Sequence, residues 1–170
     1  MKRSWLVLLC VLLSGSVVMA APQKRVSSVS QKKTYPVVTG VTAKDVFGKS
    51  FSFDAVKNKV VLVTFFATWC PPCLKEIPEL VALQSSLAPQ GFQVLAISVD
   101  DALPKQLAEF SSKKGLNYPV VMKTPALESA FGSVEAIPTV FIVNRNQQIV
   151  DRWAGYLGHA QLMEKLKKWL

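Results

Sequence analysis

VVLVTFFATWCPPC, residues 60–73, joins an apolar run directly to a pair of cysteines. Residues 60–67 are almost all β-branched or aromatic, which predicts a strand buried on both faces. Residues 72–87 carry apolar side chains at helical spacing and predict a helix. A buried strand that leads through Cys-x-x-Cys into a helix predicts an α/β fold, with Cys70 at the start of that helix.

Cys70 at a helix N-terminus favours redox chemistry. Unpaired backbone N–H groups and the positive end of the helix dipole stabilise an anion there. The thiolate is the form of cysteine that attacks disulfides. Pro71 and Pro72 remove two backbone donors and stiffen the loop, and Pro72 suits a first helical turn. The strand, the cysteine pair and the helix together predict thiol–disulfide exchange.

The rest of the chain predicts further alternation of strands and helices. The further predicted strands are residues 37–47, 50–53, 92–99, 118–122, 139–143 and 148–153. The further predicted helices are residues 103–114, 125–131 and 160–170. The order β-β-β-α-β-α-β-α-β-β-α predicts a central mixed sheet flanked by helices. Asp100 and Asp101 follow a predicted strand and are expected to cap the next helix rather than bind a metal.

The first 34 residues differ in composition from the rest. Residues 1–20 have a basic start, an apolar run and small residues at the end, which is typical of a cleaved secretory signal. An uncleaved anchor is the rival prediction, because residues 5–21 have about the minimum length for spanning a bilayer. Residues 21–34 are polar and basic and predict a flexible linker. Residues 35–170 form the predicted domain.

The cysteine count favours a redox pair over a structural bridge. Cys10 lies in the predicted signal, so export leaves Cys70 and Cys73 as the remaining two of three cysteines. A disulfide across two intervening residues closes too short a loop to constrain the unfolded chain much. In an oxidising compartment such a pair is more often catalytic.

The chain is basic, with a formal net charge of +9. A strong positive charge can indicate nucleic acid or an anionic membrane surface as a partner. Here the basic residues are scattered along the chain and no single basic stripe is interleaved with aromatic residues. The pattern predicts a solvated basic surface and no nucleic-acid partner.

Two motifs carry a family resemblance. Phe65-Phe66-Ala67-Thr68-Trp69-Cys70-Pro71-Pro72-Cys73 resembles the active-site segment of the TlpA/ResA branch of the thioredoxin superfamily. Ala136-Ile137-Pro138-Thr139 is similar to the cis-proline loop of that family. The likeness extends over residues 37–170 and includes an inserted segment, residues 116–121. It implies a thioredoxin-like fold with an N-terminal β-hairpin and a central insertion.

The resemblance also implies roles for site residues. Cys70 would be the nucleophile and Cys73 the resolving thiol. Thr64 stands where ordinary thioredoxin has a buried aspartate, and Glu76 stands where the TlpA/ResA branch has a glutamate that manages thiol protonation. A desolvated carboxyl group near a thiol can act as acid or base. The alternative for Glu76 is a surface glutamate paired with a lysine.

Five residues are expected to contact the substrate. By the resemblance, the bond before Pro138 is cis, and the backbone of Ile137 is free to pair with a substrate strand beside Cys70. A simple strand-start proline is the alternative for Pro138. Trp69 is expected to pack beside the disulfide and shape the substrate surface, or else to belong to the core. The predicted substrate-binding residues are Trp69, Pro71, Pro72, Ile137 and Pro138.

The predicted function is disulfide exchange with exported proteins, in the periplasm or on the extracytoplasmic side of the membrane. The resemblance favours a reductant for cytochrome c maturation or copper-centre assembly, supplied with electrons by a membrane thiol donor. The alternatives are a net oxidase or isomerase of exported proteins and a Cu(I)-handling module. Beyond the cysteine pair no cofactor and no metal are expected, since a structural zinc site needs four ligands. A peroxidase would need an isolated peroxidatic cysteine, whereas both thiols here fall in one pair.

Overall fold

The computed structural model describes residues 36–170, so the predicted signal (1–20), the linker (21–34) and residue 35 lie outside it. The strands are β1 (Thr42–Lys44), β2 (Ser50–Ser52), β3 (Val60–Phe66), β4 (Phe92–Ser98), β5 (Val120–Met122), β6 (Thr139–Val143) and β7 (Ile149–Ala154). The α-helices are α1 (Pro71–Leu87), α2 (Pro104–Lys114), α3 (Pro125–Phe131) and α4 (His159–Leu166). The predicted order of elements is confirmed. None of the described helices is both long and apolar enough to span a membrane.

A five-stranded mixed sheet forms the centre of the domain. Its strand order is β5-β4-β3-β6-β7. Strands β3, β4 and β5 run parallel, while β6 is antiparallel to both β3 and β7. Every residue of β3 is buried, as the apolar run predicts for a central strand covered on both faces. The predicted α/β class with a mixed sheet is therefore confirmed.

The side chains of β3 alternate between two cores. Leu62 packs in one core with Leu80 and Leu83 of α1, and this core also contains residues of α2 and α4. Phe65 points to the other face, where its ring centroid lies 5.8 Å from that of Phe131 in α3. The two-residue period of the strand thus places helices on both faces of the sheet. It also directs Thr64 towards the face that α1 covers.

The predicted hairpin is present but short. Strands β1 and β2 pair antiparallel and form a separate two-stranded sheet. In the turn, Asp45 Oδ1 accepts hydrogen bonds from the N–H groups of Phe47 (3.0 Å) and Lys49 (2.8 Å). Gly48 has a φ of +85°, a conformation that side chains disfavour. The prediction of a strand over the whole of residues 37–47 is wrong, because Val37 instead forms an isolated bridge with Gln148.

Glycine marks the end of α2 as predicted, whereas α4 ends earlier than predicted. Gly115 ends α2 in the left-handed conformation, with a φ of +67°, as a C-terminal glycine does. Helix α4 begins at His159 and ends at Leu166, earlier than the predicted residue 170. The N–H groups of Trp169 and Leu170 still donate to the carbonyl of Leu166, so the chain continues as turns rather than as α-helix.

Candidate active site

The cysteine pair lies at the N-terminus of α1. Cys70 is the N-cap residue and has extended backbone angles, with φ −90° and ψ 107°. The backbone N–H of Cys73 donates to Cys70 Sγ over 3.3 Å, and the two residues are joined by a disulfide. Because this N–H belongs to the first helical turn, it is one of the donors that stabilise a negative charge at that point. The structure confirms the predicted position of both cysteines.

The residues between the cysteines begin the helix without loss of hydrogen bonds. Pro71 and Pro72 are the first two residues of α1 and both are exposed. Their missing N–H groups would have had no partner inside the helix. Exposed proline rings beside a disulfide give the surface around it a fixed, apolar shape.

The predicted cis-proline loop faces the disulfide. The bond between Ile137 and Pro138 is cis, which confirms that expectation. Cys70 Sγ lies 3.7 Å from the carbonyl oxygen of Ile137. The Pro138 carbonyl accepts a hydrogen bond of 2.7 Å from the N–H of Gly155, which ties the loop to the end of β7. Two segments that are 67 residues apart in the chain therefore meet at Cys70.

A cavity of about 220 Å³ lies beside this loop. Its lining includes the apolar side chains of Trp69, Val99, Val134 and Ile137, together with charged groups from the α3 region. Trp69 is 69% exposed, so the alternative that it belongs to the core is wrong. The indole instead forms part of an open, largely apolar surface next to Cys70.

Glu76 is buried one helical turn after Cys73. Its residue exposure is 1%, and Thr64 Oγ1 donates a hydrogen bond of 3.0 Å to its Oε2 atom. Among residues 36–170 no partner is found for Oε1. Burial raises the pKa of Glu76 from 4.5 to about 7, and the bond from Thr64 opposes part of that rise. The expected desolvation is confirmed, and the alternative of a surface glutamate paired with a lysine is wrong.

Two residues around Glu76 were missed in the sequence. Thr64 is more than a replacement for an acid, because its hydroxyl donates the hydrogen bond to Glu76. Tyr118, from the inserted segment, is buried, and burial together with the negative charge of Glu76 raises its pKa. The period of β3 could have placed Thr64 opposite α1, whereas no local pattern pointed to Tyr118.

Asp100 holds the segment that precedes Cys70. Its carboxylate accepts hydrogen bonds from Thr68 N, 3.1 Å from each oxygen, and from Thr68 Oγ1 at 2.8 Å. Ser98 Oγ donates a further bond of 2.6 Å. The prediction that Asp100 and Asp101 cap the next helix is wrong, because the N-cap of α2 is Leu103. The carboxylate turns back towards the active-site segment instead of forward along the chain.

His159, the first residue of α4, contacts helix α1. Its Nδ1 atom is 3.2 Å from Glu79 Oε2, which links the start of α4 to α1. Within the described range no group of three or more His, Cys, Asp or Glu side chains is arranged to hold a metal ion.

The family is shown by a match over most of the chain. A family model described as "AhpC/TSA family" matches residues 36–152. The chain belongs to the AhpC/TSA family. The match covers the sheet from the hairpin into β7 and contains both cysteines and the cis-proline loop.

Similar proteins narrow the chemistry of this AhpC/TSA-family chain. Thiol-disulfide oxidoreductase ResA of Bacillus subtilis (strain 168) is 29% identical over 157 residues, 92% of this chain and 84% of the relative. ResA of Bacillus thuringiensis (strain Al Hakam) is 26% identical over 163 residues, 95% of this chain and 93% of the relative.

A solved structure supports the same assignment. The crystal structure of a thiol:disulfide interchange protein of the thioredoxin family from Chlorobium tepidum TLS is 32% identical and has a TM-score of 0.74. The match covers 81% of this chain and 97% of that one. This AhpC/TSA-family chain is therefore a thioredoxin-like thiol–disulfide oxidoreductase of the ResA type, and its redox group is a cysteine pair that requires no added cofactor.

Proposed function

We propose that the protein is exported and reduces disulfides of other exported proteins on the extracytoplasmic side of the membrane. Cys70 attacks and Cys73 resolves. The composition of residues 1–20 supports export, by a signal that is cleaved or retained as a membrane tether. The hydrogen bond from the Cys73 N–H to Cys70 Sγ supports Cys70 as the thiol that forms the reactive thiolate.

The reaction balances as two exchanges. The Cys70 thiolate attacks a substrate disulfide, forms a mixed disulfide and releases one substrate sulfur as a thiolate, which takes up a proton. The Cys73 thiolate then attacks Cys70 Sγ, which releases the second substrate thiol and leaves the Cys70–Cys73 disulfide. Two electrons and two protons have passed to the substrate. A dithiol donor on the same side of the membrane must return them, and we propose a membrane thiol-reductant donor.

The burial of Glu76 is the observation that supports a role as reductant. Glu76 and Cys73 lie three residues apart on α1 and both face the interior. As an anion, Glu76 disfavours a second negative charge on a nearby thiol. It thereby destabilises the thiolate form of the reduced pair relative to the disulfide. A strong oxidant has the opposite balance, because its reduced form is stabilised.

The surface around Cys70 supports a protein substrate. Trp69, Pro71 and Pro72 are exposed next to the disulfide. Ile137 lies against Cys70 and lines the cavity of about 220 Å³ together with Trp69, while Pro138 is buried. An extended substrate segment would run along the cis-proline loop and place a side chain near Trp69. We propose apoproteins whose cysteines bind haem or copper as the substrates, following the TlpA/ResA resemblance.

Trp69→Ala tests this substrate surface. The variant should reduce a protein disulfide about tenfold more slowly, because an exposed aromatic contact at an interface is lost. It should reduce oxidised glutathione at the rate of the unchanged protein, since a small disulfide needs only the cysteine pair and no extended surface. Stopped-flow rates with both substrates measure the difference. Phe47→Ala, which removes an exposed aromatic residue in the β1–β2 turn, is the control, and equal slowing by both variants would refute a specific role for Trp69.

The redox equilibrium with glutathione tests the direction. We expect a reduction potential more negative than about −200 mV, on the thioredoxin side of the family range. A value near about −120 mV would show an oxidant and overturn the reductase proposal. Glu76→Gln is the informative variant, because removal of the carboxylate should shift the potential to a less negative value above pH 7.

Trapping with Cys73→Ala tests the substrate class. The variant can form the mixed disulfide through Cys70 but cannot resolve it, so natural partners should accumulate as covalent complexes. These complexes, isolated from the exported fraction of cells, are identified by mass spectrometry. The double variant Cys70→Ser/Cys73→Ala is the control and should capture nothing. Absence of any Cys70-dependent complex would contradict exchange with exported proteins.

A further inference from the structure

Asp100 connects the neighbouring strands β3 and β4 just beyond their carboxyl ends, where the active site lies. Strands β3 and β4 pair in parallel, with Phe66 opposite Ser98. The chain continues two residues beyond this pair on each side, to Thr68 and to Asp100. There the Asp100 carboxylate accepts from both the N–H and the hydroxyl of Thr68. The Asp100 side chain thus continues the hydrogen bonding between β3 and β4 as far as Thr68.

The carboxylate is itself held in place. Ser98 is fully buried, and its hydroxyl donates to Asp100 Oδ2 and accepts from the Asp100 N–H over 3.1 Å. Asp100 is only 8% exposed. A buried carboxylate with several donors has a defined orientation, because each oxygen loses a partner if the group rotates. The network is therefore rigid enough to set the position of Thr68.

The position of Thr68 bears on Cys70 through two peptide units. The N–H of Cys70 donates to the carbonyl of Ala67 over 3.2 Å, which closes a tight turn around Thr68 and Trp69. Cys70 Sγ then meets two groups from elsewhere, the Cys73 N–H at 3.3 Å and the Ile137 carbonyl at 3.7 Å. A displacement of Thr68 would change both distances.

We propose that Asp100 is a positioning residue for the attacking thiol: through Thr68 it holds the turn that places Cys70 between the N-terminus of α1 and the cis-proline loop. This inference rests on the proposed role of Cys70 as the nucleophile. It adds a residue that never touches the substrate and lies 30 positions beyond Cys70. Its action depends on accepting hydrogen bonds and not on its negative charge.

Asp100→Ala and Asp100→Asn separate these two properties. Asparagine keeps an oxygen that accepts from Thr68 N and Oγ1, while its amide group can donate to Ser98 Oγ. Alanine removes every acceptor. Asp101→Ala is the matched control, since it removes an exposed carboxylate from the next position. Thr68→Val is a milder variant that removes only the hydroxyl donor and serves if Asp100→Ala fails to fold.

The measurement is the rate at which iodoacetamide alkylates Cys70 in the reduced protein, read by peptide mass spectrometry well below the melting temperature. Asp100→Ala should react about tenfold more slowly, because the thiolate loses its alignment with the helix N-terminus. Thr68→Val should react more slowly as well. Asp100→Asn and Asp101→Ala should both stay within about twofold of the unchanged protein. The glutathione equilibrium of Asp100→Ala should shift towards the disulfide.

Unchanged alkylation in a folded Asp100→Ala, or in Thr68→Val where the former does not fold, would overturn the proposal. Equal effects of Asp100→Ala and Asp100→Asn would also overturn it, since they would assign the effect to charge. A purely structural role predicts a lower melting temperature with no change in the alkylation rate. The proposed function fails separately: in that case Cys73, and not Cys70, is the faster-reacting thiol in the unchanged protein.

Discussion

Cys70→Ser should lower the rate of disulfide exchange by roughly a thousandfold or more, because loss of an enzyme's nucleophile removes its covalent pathway. A serine hydroxyl at the N-terminus of α1 stays protonated and does not attack a disulfide. The assay is reduction of a protein disulfide such as that of insulin, with dithiothreitol as the electron source. With pre-reduced protein and no dithiothreitol present, Cys73→Ser should retain the first half-reaction and stop at the mixed disulfide.

The control for Cys70→Ser is its stability relative to the reduced protein. The Cys70–Cys73 bridge closes a loop across two residues, so its loss changes the unfolded chain little. Both cysteines are buried by the same core and serine is close to cysteine in size. Chemical denaturation should therefore show a folded variant. Substantial exchange activity in folded Cys70→Ser would point to Cys73 as the attacking thiol and reverse the assigned roles.

Features with a strong local cause could be predicted from the sequence. The run of β-branched and aromatic residues in β3 predicts a central strand covered on both faces, and all seven of its residues are buried. Helix α1 begins where two prolines suit a first turn, and α2 ends at Gly115. The position of Cys70 as N-cap followed from these neighbours alone. Helix ends without a breaker, such as that of α4, were predicted less well.

Features that depend on strand register could not be predicted. The two-residue period of β3 places Thr64 on the face that α1 covers, but its bond to Glu76 depends on how β3 and α1 pack against each other. Asp100 meets Thr68 only because β3 and β4 pair with Phe66 opposite Ser98. Nothing local in the sequence states this register, and an aspartate just before a helix resembles an N-cap. The hydrogen-bond partners of Glu76 and Thr68 were therefore missed, while the cysteine pair lies where the sequence placed it, at the start of α1.

Glu76→Gln should remove a pH-dependent loss of stability from the oxidised protein. Folding raises the pKa of Glu76 from 4.5 to about 7 through burial. A shift of this size corresponds to about 3 kcal/mol of free energy between the two protonation states. Glutamine has the same shape, stays neutral, and can still pair with Thr64 Oγ1, so it represents the protonated side chain.

The direction follows from proton binding. Between pH 4.5 and about 7 the folded protein keeps the Glu76 proton while the unfolded chain releases it. The free energy of unfolding therefore falls as the pH rises through this window. Stability from the protonated carboxyl is fully present below pH 4.5 and has been lost above about pH 7. The variant lacks this slope and should be more stable than the unchanged protein on the alkaline side.

Urea denaturation of the oxidised proteins at a series of pH values measures the effect. The quantity of interest is the difference between the two free energies of unfolding, since every other titrating group is common to both proteins. This difference should change by about 3 kcal/mol across the window. Glu109→Gln, which neutralises an exposed carboxylate on α2, is the control and should show no such change. A flat difference for Glu76→Gln would contradict the raised pKa.

Glu76→Gln also distinguishes a carboxyl group that only packs in the core from one that transfers protons. If Glu76 passes a proton to or from the thiols, the exchange rate of the unchanged protein should include a step with an apparent pKa near 7, and Glu76→Gln should lose that step. A carboxyl group that only packs would alter the stability profile and leave the shape of the rate profile intact. A buried acid lowers stability at neutral pH, and acids with such raised pKa values are found mostly at functional sites. Agreement of the two profiles on one pKa, and its loss from both in the variant, would assign that chemistry to Glu76.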